Sequence, residues 1–138
     1  MPRVEITDYE PQAKAILAIR FEVFVNEQCV PSELEVDGRD PDCIHALAFY
    51  EDKPVGTGRL LPDGHIGRVA VLKAYRNKGI GGTIMKRLIE EARKRGFEEA
   101  LLSSQTAAIR FYERLGFVSE GEVYLEAGID HIDMRLEL

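Results

Sequence analysis

Apolar and polar positions alternate over residues 3–7, where Val4 and Ile6 sit between polar neighbours, and that period of two predicts a short strand. From residue 13 the period changes. Ile16, Leu17, Phe21, Phe24 and Val25 recur at three- and four-residue steps and predict one buried helical face. Thr7 or Asp8 can cap this helix, and Pro11 is tolerated in its first turn. Arg20 falls in the middle of the apolar face and Glu27 follows seven residues later. Charges placed there either pair with each other or line a cavity, because isolated burial is costly. Strands are predicted over 44–50, 54–61 and 65–72, antiparallel to one another. Asp52-Lys53 turns the first hairpin. Pro62-Asp63-Gly64 turns the second, with proline setting φ and glycine accepting the reversed one. Gly56, Gly58 and Gly67 weaken these strands and predict bulges or close backbone approach.

A second amphipathic helix, from 80 to 95, buries Ile80, Ile84, Met85, Leu88, Ile89 and Ala92 and ends at Gly96. Its outer face carries Lys86/Glu90, Glu90/Lys94 and Glu91/Arg95 at four-residue spacing. A strand over 97–103 follows and, being separated from the previous strand by a helix, runs parallel to it. A short helix over 106–115 stops at Gly116. Strands over 117–125 and 131–138, joined around Gly128, form a closing antiparallel pair. In the last strand Ile132, Met134, Leu136 and Leu138 point inward, while His131, Asp133, Arg135 and Glu137 share the other face.

A chain of 138 residues with 45% hydrophobic and 30% charged content is expected to form a single domain, residues 1–138, with a real core. Its net charge, 18 − 24 = −6, argues against nucleic acid as a general partner. No apolar run approaches a membrane span, and Met1-Pro2-Arg3-Val4-Glu5 does not read as a signal peptide, so the expected address is cytoplasmic, with no membrane partner. Cys29 and Cys43 share no CxxC spacing; neither a disulfide framework nor a metal site is expected from them. The acidic stretch 31–42, with Glu33, Glu35, Asp37, Asp40 and Asp42, is read as a solvated loop, the alternative being a lip that attracts a cationic substrate.

The chemistry concentrates in Arg76-Asn77-Lys78-Gly79-Ile80-Gly81-Gly82-Thr83, a basic, glycine-rich turn between a predicted strand and a predicted helix. Such a turn aims free backbone N–H groups and a positive helix end at an anion, most naturally a phosphate. A Walker loop would need Lys and then Ser or Thr after its last glycine, and a dinucleotide fingerprint would need Gly or Ala where Ile84 stands. The spacing instead matches Arg/Gln-x-x-Gly-x-Gly/Ala at Arg76, Gly79 and Gly81, which resembles the pyrophosphate loop of the GNAT superfamily of acyl-CoA-dependent N-acyltransferases. A second stretch, residues 105–117, is similar to that family's Asn-x-x-Ala-Ile-x-x-Tyr-x-x-x-Gly-Phe signature, departing from it only at Gln105. Val23-Phe24-Val25-Asn26-Glu27-Gln28 with Val30-Pro31 is similar to a small bacterial branch of the family, in which counterparts of Arg20, Glu27, His45, Arg59, Arg68 and His131 are expected.

The resemblance implies an α/β fold with a mostly antiparallel sheet, a central parallel strand pair that splays, and flanking helices. It implies acetyl-CoA as acyl donor, held by Arg76, Asn77, Lys78, Gly79, Ile80, Gly81, Gly82 and Thr83 at the pyrophosphate. Backbone groups of Val69, Ala70 and Val71 would take the pantetheine arm, with one N–H aimed at the thioester oxygen. Gln105, Ala108, Phe111 and Tyr112 complete the cofactor set, Phe111 chiefly as packing. Tyr112 resembles the residue that protonates the leaving thiolate. Many relatives carry a carboxylate on the strand before the loop, but Ile66-Gly67-Arg68-Val69 offers none, so Glu27 and His131, with His45 and His65 behind them, are left as candidate bases. Arg20, Phe24, Arg59 and Arg68 are candidate acceptor contacts, the arginines suiting a carboxylate or phosphate. The expected reaction is acetyl transfer to the primary amine of a small molecule by direct attack in a ternary complex. A protein or peptide amine, or a non-catalytic CoA-binding sensor, is the alternative. A homodimer is left open.

Overall fold

Residues 2–138 are described by the computed structural model, and their strands fall into two antiparallel sheets. β1 (Pro2–Thr7), β2 (Ile44–Tyr50), β3 (Lys53–Leu60) and β4 (Ile66–Val71) pair in chain order. β5 (Glu99–Gln105), β6 (Val118–Glu126) and β7 (Ile129–Glu137) form the second sheet in the order β5-β7-β6, with β7 inserted between its neighbours. The sheets meet where β4 and β5 run parallel. There a single bridge pairs His65 with Leu101, and the Leu101 N–H donates to the Gly64 carbonyl at 3.0 Å. Gly64 has φ +95°, and a Cβ on it would stand 3.0 Å from the Glu99 carbonyl oxygen, so this junction requires glycine for both conformation and space. Beyond the bridge the two strands share no ladder, which is the expected splay.

α3 (Ile80–Lys94) packs on one face of the four-stranded sheet, burying Ile80, Ile84, Met85, Leu88, Ile89 and Ala92 as its periodicity predicts. The strand glycines explain its closeness. A Cβ on Gly56 would lie 2.9 Å from Ile84 Cδ1, and one on Gly58 would lie 3.0 Å from both Ile84 Cγ2 and Leu88 Cδ1. α1 (Tyr9–Arg20) covers the opposite face, with Asp8 at its N-cap position. It continues into a π-helical stretch, Phe21–Glu27. The buried apolar positions are Ile16, Ile19 and Val23, which pack on Leu47 and Ala70, rather than the expected Leu17, Phe21, Phe24 and Val25.

The acidic stretch is not the solvated loop its composition suggests. α2 (Ser32–Glu35) and a 3₁₀ turn, Asp40–Asp42, fold it back over the sheet edge, and Glu35 and Asp40 are both only 2% exposed. The reason is Arg20. Its guanidinium, 1% exposed, donates from Nε to Glu35 at 2.5 Å, from Nη1 to Asp40 at 2.7 Å and from Nη2 to the Glu35 carbonyl at 3.0 Å. Arg59 joins from β3, bonded to Asp40 at 2.9 Å and to Asp37 at 2.6 Å. Arg20 therefore pairs as burial demands, but with this loop and not with Glu27.

Candidate functional site

The turn before α3 bends through two left-handed residues, Asn77 (φ +65°) and Gly79 (φ +78°). Thr83 is the first N–H to close onto the helix, at 3.1 Å from the Gly79 carbonyl, which its hydroxyl also meets at 3.0 Å. The N–H groups of Ile80, Gly81 and Gly82 precede that bond and lack helical partners. A Cβ on Gly82 would meet nothing within 4 Å, and one on Gly81 would face the Phe111 ring at 3.5 Å. Donors, a positive helix end and open approach therefore coincide. Lys78 stands at the same mouth, its Nζ 5.6 Å from the Tyr50 ring centre.

Arg76 is engaged from two sides. Its Nε donates to the Val71 carbonyl at 2.9 Å, and its two terminal nitrogens hold Glu27 at 2.6 and 2.7 Å. This bidentate pair joins two residues that were read as belonging to different halves of the site. The Arg76 hydrogen bonds hold the Glu27 carboxyl below its usual range, which makes it a weaker proton acceptor.

β4 lies along the gap with its outer edge unpaired beyond the bridge at its base. The β3–β4 register slips between Thr57 and Arg59, and Arg68 sits in the bulge at φ +51°. This bulge turns the Arg68 side chain toward the folded acidic segment, where Nη2 donates to the Leu34 and Glu35 carbonyls, both at 3.3 Å. Burial lowers the Arg68 pKa; its Nε makes no hydrogen bond but lies 3.5 Å from the Glu35 carboxylate, and Nη2 lies 3.5 Å from Asp37. Val69 and Val71 pack toward α3, and Ala70 packs toward α1.

Beyond β5, a 3₁₀ turn at Thr106–Ala108 leads into α4 (Ile109–Glu113). Tyr112 packs edge-on against Phe111 and Phe117, with ring centres 4.9 and 6.1 Å away, and burial pushes its phenol up to about 12. It stays protonated at physiological pH and has a proton to give. Gln105, at the end of β5, reaches back to α1's extension: its Nε2 donates to Gln28 Oε1 at 2.8 Å. Phe24 is half-buried, packed with the α1 core.

The three histidines lie in different surroundings. His131 is 7% exposed, although its neighbours on the polar face of β7, Asp133, Arg135 and Glu137, are exposed. It is covered by Tyr124, stacked at 6.1 Å, and its Nδ1–H donates to the Ile129 carbonyl at 2.7 Å. Its Nε2 lies 3.6 Å from Glu126. His45 is buried under the acidic segment, donating from Nε2 to the Asp40 carbonyl at 3.0 Å, and burial lowers its pKa. His65 pairs with Asp63 at the closed end of the splay.

One polar group escaped the sequence reading. Ser103, Tyr124 and Asp133 are joined on the sheet face that carries Gln105 and His131, and Tyr124 donates to Asp133 at 2.7 Å. Asp133 had been placed on the His131 face by alternation, but neither Ser103 nor Tyr124 belonged to any motif. Among the described residues no group of three or more His, Cys, Asp or Glu could hold a metal ion.

A helix start with unpartnered N–H groups, beside a parallel strand pair opened into a cleft, is the architecture expected of an acyl-CoA transferase. The model of the acetyltransferase (GNAT) domain matches residues 5–138. The uncharacterized N-acetyltransferase YjcF of Bacillus subtilis is 41% identical over 134 residues, covering 94% of this chain and 95% of that protein. The crystal structure of an acyl-CoA N-acyltransferase from Pseudomonas aeruginosa superposes with a TM-score of 0.87 at 34% identity, over 98% of this chain and 99% of the other. A GNAT family acetyltransferase from Elizabethkingia anophelis, crystallised with acetyl-CoA bound, shares the fold at 19% identity, with a TM-score of 0.72 over 99% and 98% of the two chains. The chain belongs to the GNAT acetyltransferase family.

Proposed function

We propose that this protein transfers the acetyl group of acetyl-CoA to the primary amine of a small molecule, by direct attack while both substrates are bound. The observation that carries the reading is the union of the open N-terminus of α3 with the splay of β4 from β5. The residues present fit the donor: the Ile80, Gly81 and Gly82 N–H groups lack helical partners, and no side chain at Gly82 narrows their approach. Acetyl-CoA supplies the thioester whose carbonyl carbon the amine attacks. The loop N–H groups hold the pyrophosphate, and Arg76 and Lys78 add positive charge around it. The outer edge of β4, from Val69 to Val71, offers backbone groups to the pantetheine amides and one N–H to the thioester oxygen. Tyr112 keeps its proton until the thiolate leaves and then gives it up.

The acceptor side is narrower than the sequence implied. Arg20 and Arg59 are buried and bound to the acidic segment, so we assign them to that scaffold. Arg68 also pairs with that segment, at 3.5 Å from Glu35 and from Asp37, but more loosely and with partial exposure at the bulge, and it is the arginine we assign to an acidic group of the acceptor. Glu27, tied to Arg76, is better suited to positioning the pyrophosphate loop than to taking a proton.

Calorimetric titration with acetyl-CoA, with NADH and ATP as controls, tests the donor. Binding of acetyl-CoA alone justifies a screen of primary amines that follows release of free CoA. No binding of any acyl-CoA removes the enzymatic reading.

A further inference from the structure

A proton has to leave the acceptor ammonium before it can attack, and β4 carries no carboxylate to take it. The other wall of the splay does carry a route. The parallel bridge pairs His65 with Leu101. Counting forward along both strands, Gly67 and Ser103 flank the gap at one level, and Val69 and Gln105 at the next. A Cβ on Gly67 would meet nothing within 4 Å, so the space beside the bulge is open. Alternation on β5 turns Ala100, Leu102 and Ser104 into the core, leaving Ser103 exposed on the opposite face. Across the sheet Ser103 pairs with Asp133, and Tyr124 pairs with His131, putting all of them on one face. The body of α1 packs on the other sheet, and its extension meets this face at Gln105 through Gln28.

The hydrogen bonds among these groups have a direction. Tyr124 has one proton, and it goes to Asp133 Oδ1 at 2.7 Å. The contact between Ser103 Oγ and Tyr124 Oη must then be donated by Ser103. With its own proton pointing away, Ser103 Oγ has lone pairs free to accept from an ammonium in the gap. Resting on the acetyltransferase reading above, we infer that Ser103, Tyr124 and Asp133 form the path by which the acceptor's proton leaves.

One ammonium N–H bond breaks as Ser103 Oγ takes that proton. Ser103 passes its own proton to Tyr124, Tyr124 passes its proton to Asp133, and exposed Asp133 releases it to water. The freed nitrogen lone pair forms the bond to the acetyl carbon while the carbon–sulfur bond breaks; the thiolate takes the Tyr112 proton, and the second proton of the now cationic nitrogen leaves to water, from which Tyr112 recovers its own. Ser103 touches the substrate; Tyr124 and Asp133 act through it. The titratable and charged groups facing this chain are His131 stacked on Tyr124, Glu126 beside His131, and Glu120, the register partner of Asp133, which binds Arg135 at 3.4 Å.

The test compares acceptors that must lose a proton with acceptors that need not. Ethylamine, tyramine and spermidine are protonated near neutral pH; hydroxylamine and trifluoroethylamine are not. For Tyr124→Phe and Ser103→Ala, kcat/KM should fall about 100-fold with the protonated amines and less than about twofold with the unprotonated ones, and the acid limb of the pH profile should move to higher pH. Asp133→Asn should show the same selectivity. Ser103→Ala removes one exposed oxygen, and acetyl-CoA affinity measured alongside reports that the fold is intact. Equal loss with both amine classes, or no loss with either, overturns the path while leaving the acetyltransferase reading in place. A wild-type protein that acetylates none of the five overturns both.

Discussion

Tyr112, to which we assign the proton taken by the leaving thiolate, would be protonated at neutral pH in any surroundings, and burial strengthens its hold. Packed between Phe111 and Phe117, it is held protonated far above neutral pH. Tyr112→Phe keeps the ring packing and removes the donor. Turnover should fall about tenfold to a hundredfold while acetyl-CoA affinity changes little, since a thiolate leaves tolerably well unaided. Steady-state kinetics beside calorimetric titration would check this, and an unchanged turnover would remove the role. The motif around Tyr112 was legible because it is contiguous in sequence. Arg20 was legible only in part: its place on an apolar face announced a buried charge, but its partners Glu35 and Asp40 lie 15 and 20 residues away. Nothing in a run of acidic residues says which of them fold inward. Loss of a buried partner costs about 3–5 kcal/mol, so Arg20→Ala should unfold at much lower urea, whereas the apolar Arg20→Met should recover part of the loss.

At the scale of elements, the acidic segment works as a clasp whose charge states set its pH dependence. Burial alone would raise the Asp40 pKa, but the hydrogen bonds and charges of Arg20 and Arg59 outweigh it and the net shift is downward. Hydrogen bonding from Arg59 likewise holds Asp37 well below the usual carboxylate range. Folded pKa values below unfolded ones contribute stability that is fully present above the ordinary carboxylate value near ~4 and is lost as pH falls through the folded values. Urea midpoints should be level above about pH 5 and drop below about pH 4, and Asp40→Asn should flatten that drop. Strand positions were easier to read than helix register. The strands expected over 44–50, 54–61, 65–72 and 131–138 fall within two residues of β2, β3, β4 and β7, whereas the buried face of α1 runs through Ile16, Ile19 and Val23, a second three-and-four spacing beside the one chosen. The strand glycines announced a close neighbour without naming it; it is α3. Gly58→Val should cost about 1–3 kcal/mol by forcing Ile84 and Leu88 away, whereas the same change at half-buried Gly82, where a Cβ meets nothing within 4 Å, should leave stability nearly untouched.

The two sheets share one core, spanned by α3, but their strands part along the β4–β5 gap. Direct links across that gap are sparse: the His65–Leu101 bridge at the base, and the amide pair of Gln28 and Gln105 nearer the mouth. A ligand laid between the strands supplies the missing backbone partners and should act as a splint. At a concentration 100-fold above its dissociation constant, acetyl-CoA should add about 2.7 kcal/mol to the unfolding free energy, seen as a rise in Tm of roughly 5–10 °C. The location of the gain discriminates better than its size. Hydrogen exchange at Val69 and Val71 on β4, and at Ser103 and Gln105 on β5, should slow more than exchange in β1 or β6, which lie away from the gap. A 3′,5′-ADP fragment has a phosphate but no pantetheine arm, and it should protect the start of α3 without protecting those strand edges. If both ligands protect the same amides, the cleft is not where the arm lies, and the contribution of β4 to the reaction would have to be withdrawn while the phosphate-binding turn stands.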